Sequence, residues 1–215
     1  MKDRFYISCQ RDNFGGKVVF HKKGKRGYTT NIGEAEELNR ADAQNDWDCG
    51  REFDVPLSAD HVDAVALYFV DMQVIPHETT ITDEQEYVAF LSGAYSGNDA
   101  LFVKDCGNSY IYTGAKVFTR EEAKKGLKNY VFIPKSLAEQ NKRLCLLVDL
   151  VDNRKFITGA GIKIPDRIKR ERRRSQTGLT RWNCPKCGKI NWQYNPYDFM
   201  GCSDIICDEY RSVYS

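Results

Sequence analysis

Four of the chain's eight cysteines, Cys184, Cys187, Cys202 and Cys207, fall inside "NCPKCGKINWQYNPYDFMGCSDIICDEY", residues 183–210, with the spacing C-x2-C-x14-C-x4-C. No other feature constrains the fold as tightly. A tail of roughly 35 residues cannot bury enough apolar surface to fold alone, whereas a structural zinc ion supplies on the order of 10–16 kcal/mol in small fingers. In "CPKCGK", Pro185 restricts the loop, Gly188 permits the turn after Cys187, and backbone N–H groups are free to point at the thiolates. Four sulfurs suit a tetrahedral Zn²⁺ with bonds of about 2.3 Å. A thioredoxin-like pair would need a βαβ context and would leave Cys202 and Cys207 unused. An iron–sulfur cluster also takes four cysteines, but two pairs around a long loop are commoner in zinc ribbons. Catalytic zinc needs an open coordination position, which four thiolates do not leave. The expectation is a structural zinc ribbon over residues 182–215. The second pair departs from the usual x2, so either the knuckle is widened or Cys202 is replaced as a ligand. Cys9, Cys49, Cys106 and Cys145 stand alone in sequence and read as packed, inert thiols.

In the segment before the ribbon, residues 165–181, Arg167, Lys169, Arg170, Arg172, Arg173 and Arg174 crowd into the eight positions 167–174 against a single Glu171. It reads as a basic linker or exposed helix. The formal net charge of the chain is only +2, so affinity for an anionic partner must come from where the charges sit. Those six cations, with Arg181, Lys186, Lys189 and Trp192 of the ribbon, are the candidates for binding nucleic acid or another partner. The rings Trp182, Trp192, Tyr194, Tyr197 and Phe199 surround the cysteines. Interleaved cations and aromatics suit single-stranded nucleic acid, and exposed Trp, Tyr and Arg equally suit a protein interface. The plainer reading is that Trp182 and Trp192 cover the metal, because a small module has little else to bury. A second basic cluster, Lys17, Lys22, Lys23, Lys25 and Arg26, reads as a solvated, pairing-resistant strand edge.

The body of the chain repeats. Residues 17–44 and 100–124 share an alternating apolar run, a glycine turn, a Tyr/Thr strand and a capped short helix, with Asn39 and the Thr119–Glu122 capping box as start signals. "FDVPLSADHVDAVALYFV" is echoed by "YVFIPKSLAEQNKRLCLLV". The expected fold is therefore α+β: two related small β-hairpin/helix modules, residues 1–80 and 81–164, packed together by duplication, then the zinc ribbon. Thr82, with Gln85 three residues on, predicts a helix opening the second module, and "RKFITGAGIKIP" predicts a closing strand.

Neither a Walker nor a dinucleotide motif is present, and His21, His61 and His77 lack a catalytic signature around them. "GYTTNIGEA" resembles the Tyr/Thr strand and following helix of ADP-ribosyltransferases, which leaves a diverged transferase open; its test is a pocket beside Tyr28 and Thr30. The amino terminus lacks the apolar run of a signal peptide, and the apolar stretches are too short to span a bilayer, so no membrane partner and a cytoplasmic location are expected. The "GYTTNIGEAEELNRADA" and "YTGAKVFTREEA" units resemble the hairpin-helix units of small bacteriophage and prophage accessory proteins, and "WNCPKCGKIN" resembles their zinc ribbons. The resemblance implies a role in the host cell, including inhibition of an anti-phage defence system. The functional expectation is a non-enzymatic protein that binds nucleic acid or a nucleoprotein complex. The alternative is a protein-binding inhibitor of a host enzyme. Oligomeric state is left open.

Overall fold

The computed structural model describes residues 3–211, and the side chains of residues 173–177 lie outside the described set. The chain is α+β and divides into two compact units, residues 1–163 and 164–215.

The first unit opens with a hairpin of β1 (Phe5–Phe14) and β2 (Lys17–His21), followed by the short strands β3 (Tyr28–Thr29) and β4 (Glu37–Leu38). Helix α1 (Arg40–Cys49), strand β5 (Asp54–Ser58), helix α2 (Ala59–Val65) and strand β6 (Leu67–Val70) come next. Its sheet runs β3-β2-β1-β4, with β5 also paired to β1. The same succession then returns: β7 (Glu86–Ser96), β8 (Asp99–Val103), β9 (Asn108–Ser109), β10 (Phe118–Thr119), α3 (Arg120–Lys125), β11 (Tyr130–Pro134), α4 (Lys135–Asn141) and β12 (Lys142–Cys145). The second sheet runs β10-β7-β8-β9, with β11 on β7.

Local chemistry places the helices where the sequence marks them. Asn39 accepts a hydrogen bond from the Asp42 N–H at 2.9 Å and starts α1, which buries Ala43 and Trp47 one turn apart. Thr119 and Glu122 close both arms of a capping box on α3. The polypeptide leaves α3 through Gly126 at φ 69°, a conformation that costs glycine little.

The two halves share part of their core. Strand β6 pairs antiparallel with β12, from Val70 opposite Lys142 to Leu67 opposite Cys145. Val70, Met72 and Ile75 then pack among Val88, Phe90, Phe102, Val131 and Ile133 of the second half. In the other direction, the Leu146 carbonyl accepts the Val18 N–H at 2.8 Å and the Val148 N–H donates to Gly16 at 3.0 Å. The two hairpin tips meet: a Cβ on Gly15 would lie 2.9 Å from the Ser96 carbonyl, and one on Gly97 would lie 2.9 Å from the Phe14 ring.

At this junction the first residues of β2 and β8, Lys17 and Asp99, form an ion pair with side chains 1% and 0% exposed. Arg143 bonds Asp99 at 2.7 Å and approaches Asp71 at 3.5 Å, and the Lys17 ammonium lies 4.6 Å from the centre of the Phe69 ring. Lys17 is thus a buried tie between the halves rather than a solvated edge lysine. Lys22 and Lys25 pair with Glu34 and Asp46 at 3.0 and 2.9 Å, so that cluster is largely neutralised.

Two predicted elements differ. Residues 86–96 are strand, not helix: the Thr82 hydroxyl accepts the Glu84 N–H at 3.3 Å and meets the Tyr87 hydroxyl at 3.2 Å, forming a turn instead of a cap. Tyr87, Val88, Ala89 and Phe90 are all buried, so covering on both faces erased the alternation that marks a strand. The predicted closing strand is a π-helical turn over Arg154–Thr158, held by the Gly159 N–H on the Arg154 carbonyl at 2.7 Å. Asp152 starts it by accepting the Arg154 and Lys155 N–H groups, and Phe156, Ile157 and Ala160 are buried at helical spacing.

The second unit contains α5 (Asp166–Thr177) and the antiparallel hairpin of β13 (Thr180–Asn183) and β14 (Ile190–Gln193). The segment read as a basic linker or exposed helix is thus mostly helix, and β13 begins inside it. Gly178 ends α5 in the left-handed region at φ 60°, and a Cβ there would sit 3.6 Å from Cε1 of Tyr194.

Candidate metal centre

The β13–β14 turn carries the first cysteine pair. The Cys184 N–H bonds the Lys189 carbonyl at 2.9 Å and the Gly188 N–H bonds Cys184 at 2.9 Å, which curls the loop around its own sulfurs. Gly188, at φ 75°, supplies the left-handed residue this turn requires. The second pair lies on a loop whose ends are tied by the Cys202 N–H to Glu209 at 2.6 Å and the Arg211 N–H to Cys202 at 3.0 Å. Its four intervening residues are absorbed by a turn in which the Asp204 carbonyl accepts the Cys207 N–H at 3.0 Å and its carboxylate accepts the Ile206 N–H at 3.2 Å. The knuckle is widened, and Cys202 keeps its place in the cluster.

All four sulfurs lie within 4.8 Å of one another. Cys184 and Cys207 are 3.6 Å apart, and Cys187 and Cys202 are 3.5 Å apart. Four sulfurs at about 2.3 Å from a tetrahedrally held ion would be about 3.8 Å apart. The donor set therefore fits a metal ion. Backbone donors surround it: the Asp204 N–H reaches Cys202 Sγ at 3.4 Å, and N–H groups of Lys186, Cys187, Lys189 and Glu209 reach the other sulfurs. Burial pushes the Cys184 thiol up, yet those N–H groups and the adjacent thiols pull it down to about 7. The Glu209 N–H favours the Cys207 thiolate, but desolvation and the other three sulfurs push that thiol up to about 12. Four crowded thiols with backbone N–H groups aimed at them make a place suited to a cation.

Strand β14 is inside out by ordinary standards. Its buried side chains are the polar Asn191 and Gln193, while Ile190 and Trp192 are 47% and 57% exposed. Asn191 accepts the Ser203 N–H at 2.7 Å and donates to the Lys189 carbonyl at 2.8 Å. Gln193 accepts the Met200 N–H at 2.8 Å and donates to the Asn195 and Asp198 carbonyls. These two amides clamp the loop leading to Cys202, which is why the strand's inner face is polar. Sequence reasoning missed both, although the alternation "INWQY" contained them.

The five rings separate. Trp182 donates to the Asn195 carbonyl at 3.3 Å and packs on Phe199 with ring centres 6.3 Å apart. Trp192, expected to cover the metal, instead stands outside, with Tyr194 and Tyr197 at 76% and 85% exposure. Arg181 lies directly across the hairpin from Trp192. Arg170, Arg172, Arg181, Lys186 and Lys189 are exposed, Arg167 is half-buried, and Lys169 is exposed beside Asp166 at 3.0 Å. Lys189 lies 3.6 Å from Asp204. The side chains of Arg173 and Arg174 are outside the described residues. Residues 164–215 contain ten Lys and Arg against six Asp and Glu, while residues 1–163 contain 22 against 24. The near-neutral total conceals a tail of net charge +4.

In the first unit, a cleft of about 800 Å³ does lie beside Tyr28 and Thr30, so the pocket required of a transferase is present. Its motif residues are spent on local structure: Asn31 accepts the Gly33 N–H at 3.1 Å, and Thr29 donates to Glu34 at 3.3 Å. Among the described residues no helix is long and apolar enough to cross a membrane. No protein-family model, no curated protein and no solved structure matches the chain.

Proposed function

We propose that residues 164–215 form a zinc-organised module that binds nucleic acid or a nucleoprotein complex, with the metal holding shape rather than performing chemistry. The observation that carries this reading is the placement of charge and rings: Arg170, Arg172, Arg181, Lys186, Trp192, Tyr194 and Tyr197 are outside, and the buried positions of the cysteine module go to sulfur and amides. Zinc is the metal the donor set favours, since four thiolates at tetrahedral spacing suit it. A closed four-sulfur shell leaves no position for substrate, so the protein acts here as a binder and not as an enzyme. The repeated order of elements in residues 1–163 supports descent of both halves from one copied module. Together with the zinc tail, it is in keeping with the phage-type accessory proteins that the sequence resembles.

Replacing Arg170, Arg172, Arg173 and Arg174 by Ala tests the reading. Four or five engaged cations on duplex DNA give a slope of log affinity against log salt near −4, and the variant should flatten it. Unchanged affinity and slope would remove the proposal. A second reading, an inhibitor or adaptor docking on a host enzyme, is favoured by Ile205 and Ile206, which project from the widened knuckle at 75% and 89% exposure. Capture of a protein target that survives nuclease treatment and is lost in an Ile205→Asp, Ile206→Asp variant would select it.

A further inference from the structure

The hairpin face opposite the metal defines the kind of nucleic acid more closely than charge does, and this inference rests on the nucleic-acid reading above. Positions 181, 183, 190 and 192 share one face of the β13–β14 ladder, with Arg181 opposite Trp192 and Asn183 opposite Ile190. All four residues are exposed. Tyr194 follows Trp192 by two residues, about 6.7 Å further along an extended chain. Its ring lies over Gly178 at the exit of α5, so the basic helix ends beside the aromatic row. Among the described residues Arg170, Arg172, Arg181 and Lys186 have no acidic partner.

From this placement we infer that the outer face of β13–β14 is a stacking platform for single-stranded nucleic acid. An unpaired base lies on the Trp192 indole, a second on Tyr194, and Arg181 with α5 follows the phosphates. Duplex is the poorer ligand, because its bases are already stacked on one another and present no free face to the two rings. The chemistry favours nucleic acid over an apolar protein groove because Arg181 stands directly across from Trp192 and none of the four positions on the face is acidic. The polar inner face of β14 gives this outer one its rigidity: Asn191 and Gln193 are pinned to the metal loop, so the platform is set before a ligand arrives.

The test uses the full zinc-loaded chain and fluorescein-labelled 12-nucleotide probes, oligo-dT, oligo-U and a mixed-sequence duplex, followed by anisotropy across a salt series. Trp192→Ala should weaken binding to both single strands roughly 5- to 150-fold, the loss expected when one stacked base is released, with the salt slope unchanged. Trp192→Phe should restore most of it. Because Trp192 is over half exposed, zinc content and the circular dichroism of the variant should match wild type, which separates lost stacking from lost fold. A difference between oligo-dT and oligo-U, checked with oligo-dU so that only the 2′-hydroxyl changes, tells DNA from RNA. The inference is overturned if Trp192→Ala leaves single-strand affinity intact, or if the duplex binds as tightly as either single strand. If the arginine variant loses affinity while Trp192→Ala does not, nucleic-acid binding stands and the platform falls. If no probe binds at all, both fall.

Discussion

The two units of this protein solve the same problem with opposite materials. Residues 1–163 bury large apolar side chains, Phe20, Trp47, Tyr87, Phe90 and Phe102 among them, and place a few charges at the one spot where two halves must be held in register. The tail's β14 puts amides inside and a tryptophan outside, with cysteine sulfur where a core would be. A chain long enough to bury surface can keep its polar groups for specificity; one of about 50 residues must find cohesion elsewhere, and its apolar groups are then free to face a partner.

The contrast can be broken at several points. Chelation, or Cys184→Ser, should have the largest effect: apparent zinc affinity is folding energy of about 10–16 kcal/mol, so the tail should lose its near-UV signal while the first unit's thermal transition stays in place. Asp99→Ala should have the reverse selectivity. Leaving the buried Lys17 ammonium and the Arg143 guanidinium without their shared carboxylate should cost the first unit about 3–5 kcal/mol in denaturant melts, without changing zinc content. Thr119→Ala, which opens one capping box, should cost about 1 kcal/mol. At the small end, Trp192→Ala should alter stability by less than about 0.5 kcal/mol, as expected for a ring that packs on little.

How far the sequence could be read follows the range of the interactions involved. The Asn39 and Thr119 starts and the Cys184–Gly188 knuckle are set by neighbours within a few residues, and the structure has each as the pattern implied. Where distant segments decide, local pattern misled. Thr82-x-x-Gln85 resembles a helix start, but the strand after it is clamped between β8 and β11, and Thr82 turns to Tyr87 instead. Lys17 resembles its exposed neighbours in sequence, and only the second hairpin, more than 80 residues on, supplies Asp99 to bury it. The inverted face of β14 was invisible for a related reason: Asn191 is inside because of the loop at Ser203, and nothing nearby in sequence says so.

The account turns on a metal standing in for an apolar core in the tail. Elemental analysis of the purified full-length chain, by inductively coupled plasma mass spectrometry before and after dialysis against a chelator, addresses it most directly. One zinc per chain, lost together with the tail's ordered aromatic signal and leaving the first unit folded, is the predicted result. A chain without stoichiometric metal whose tail is nonetheless ordered, or a tail indifferent to chelation, would contradict it.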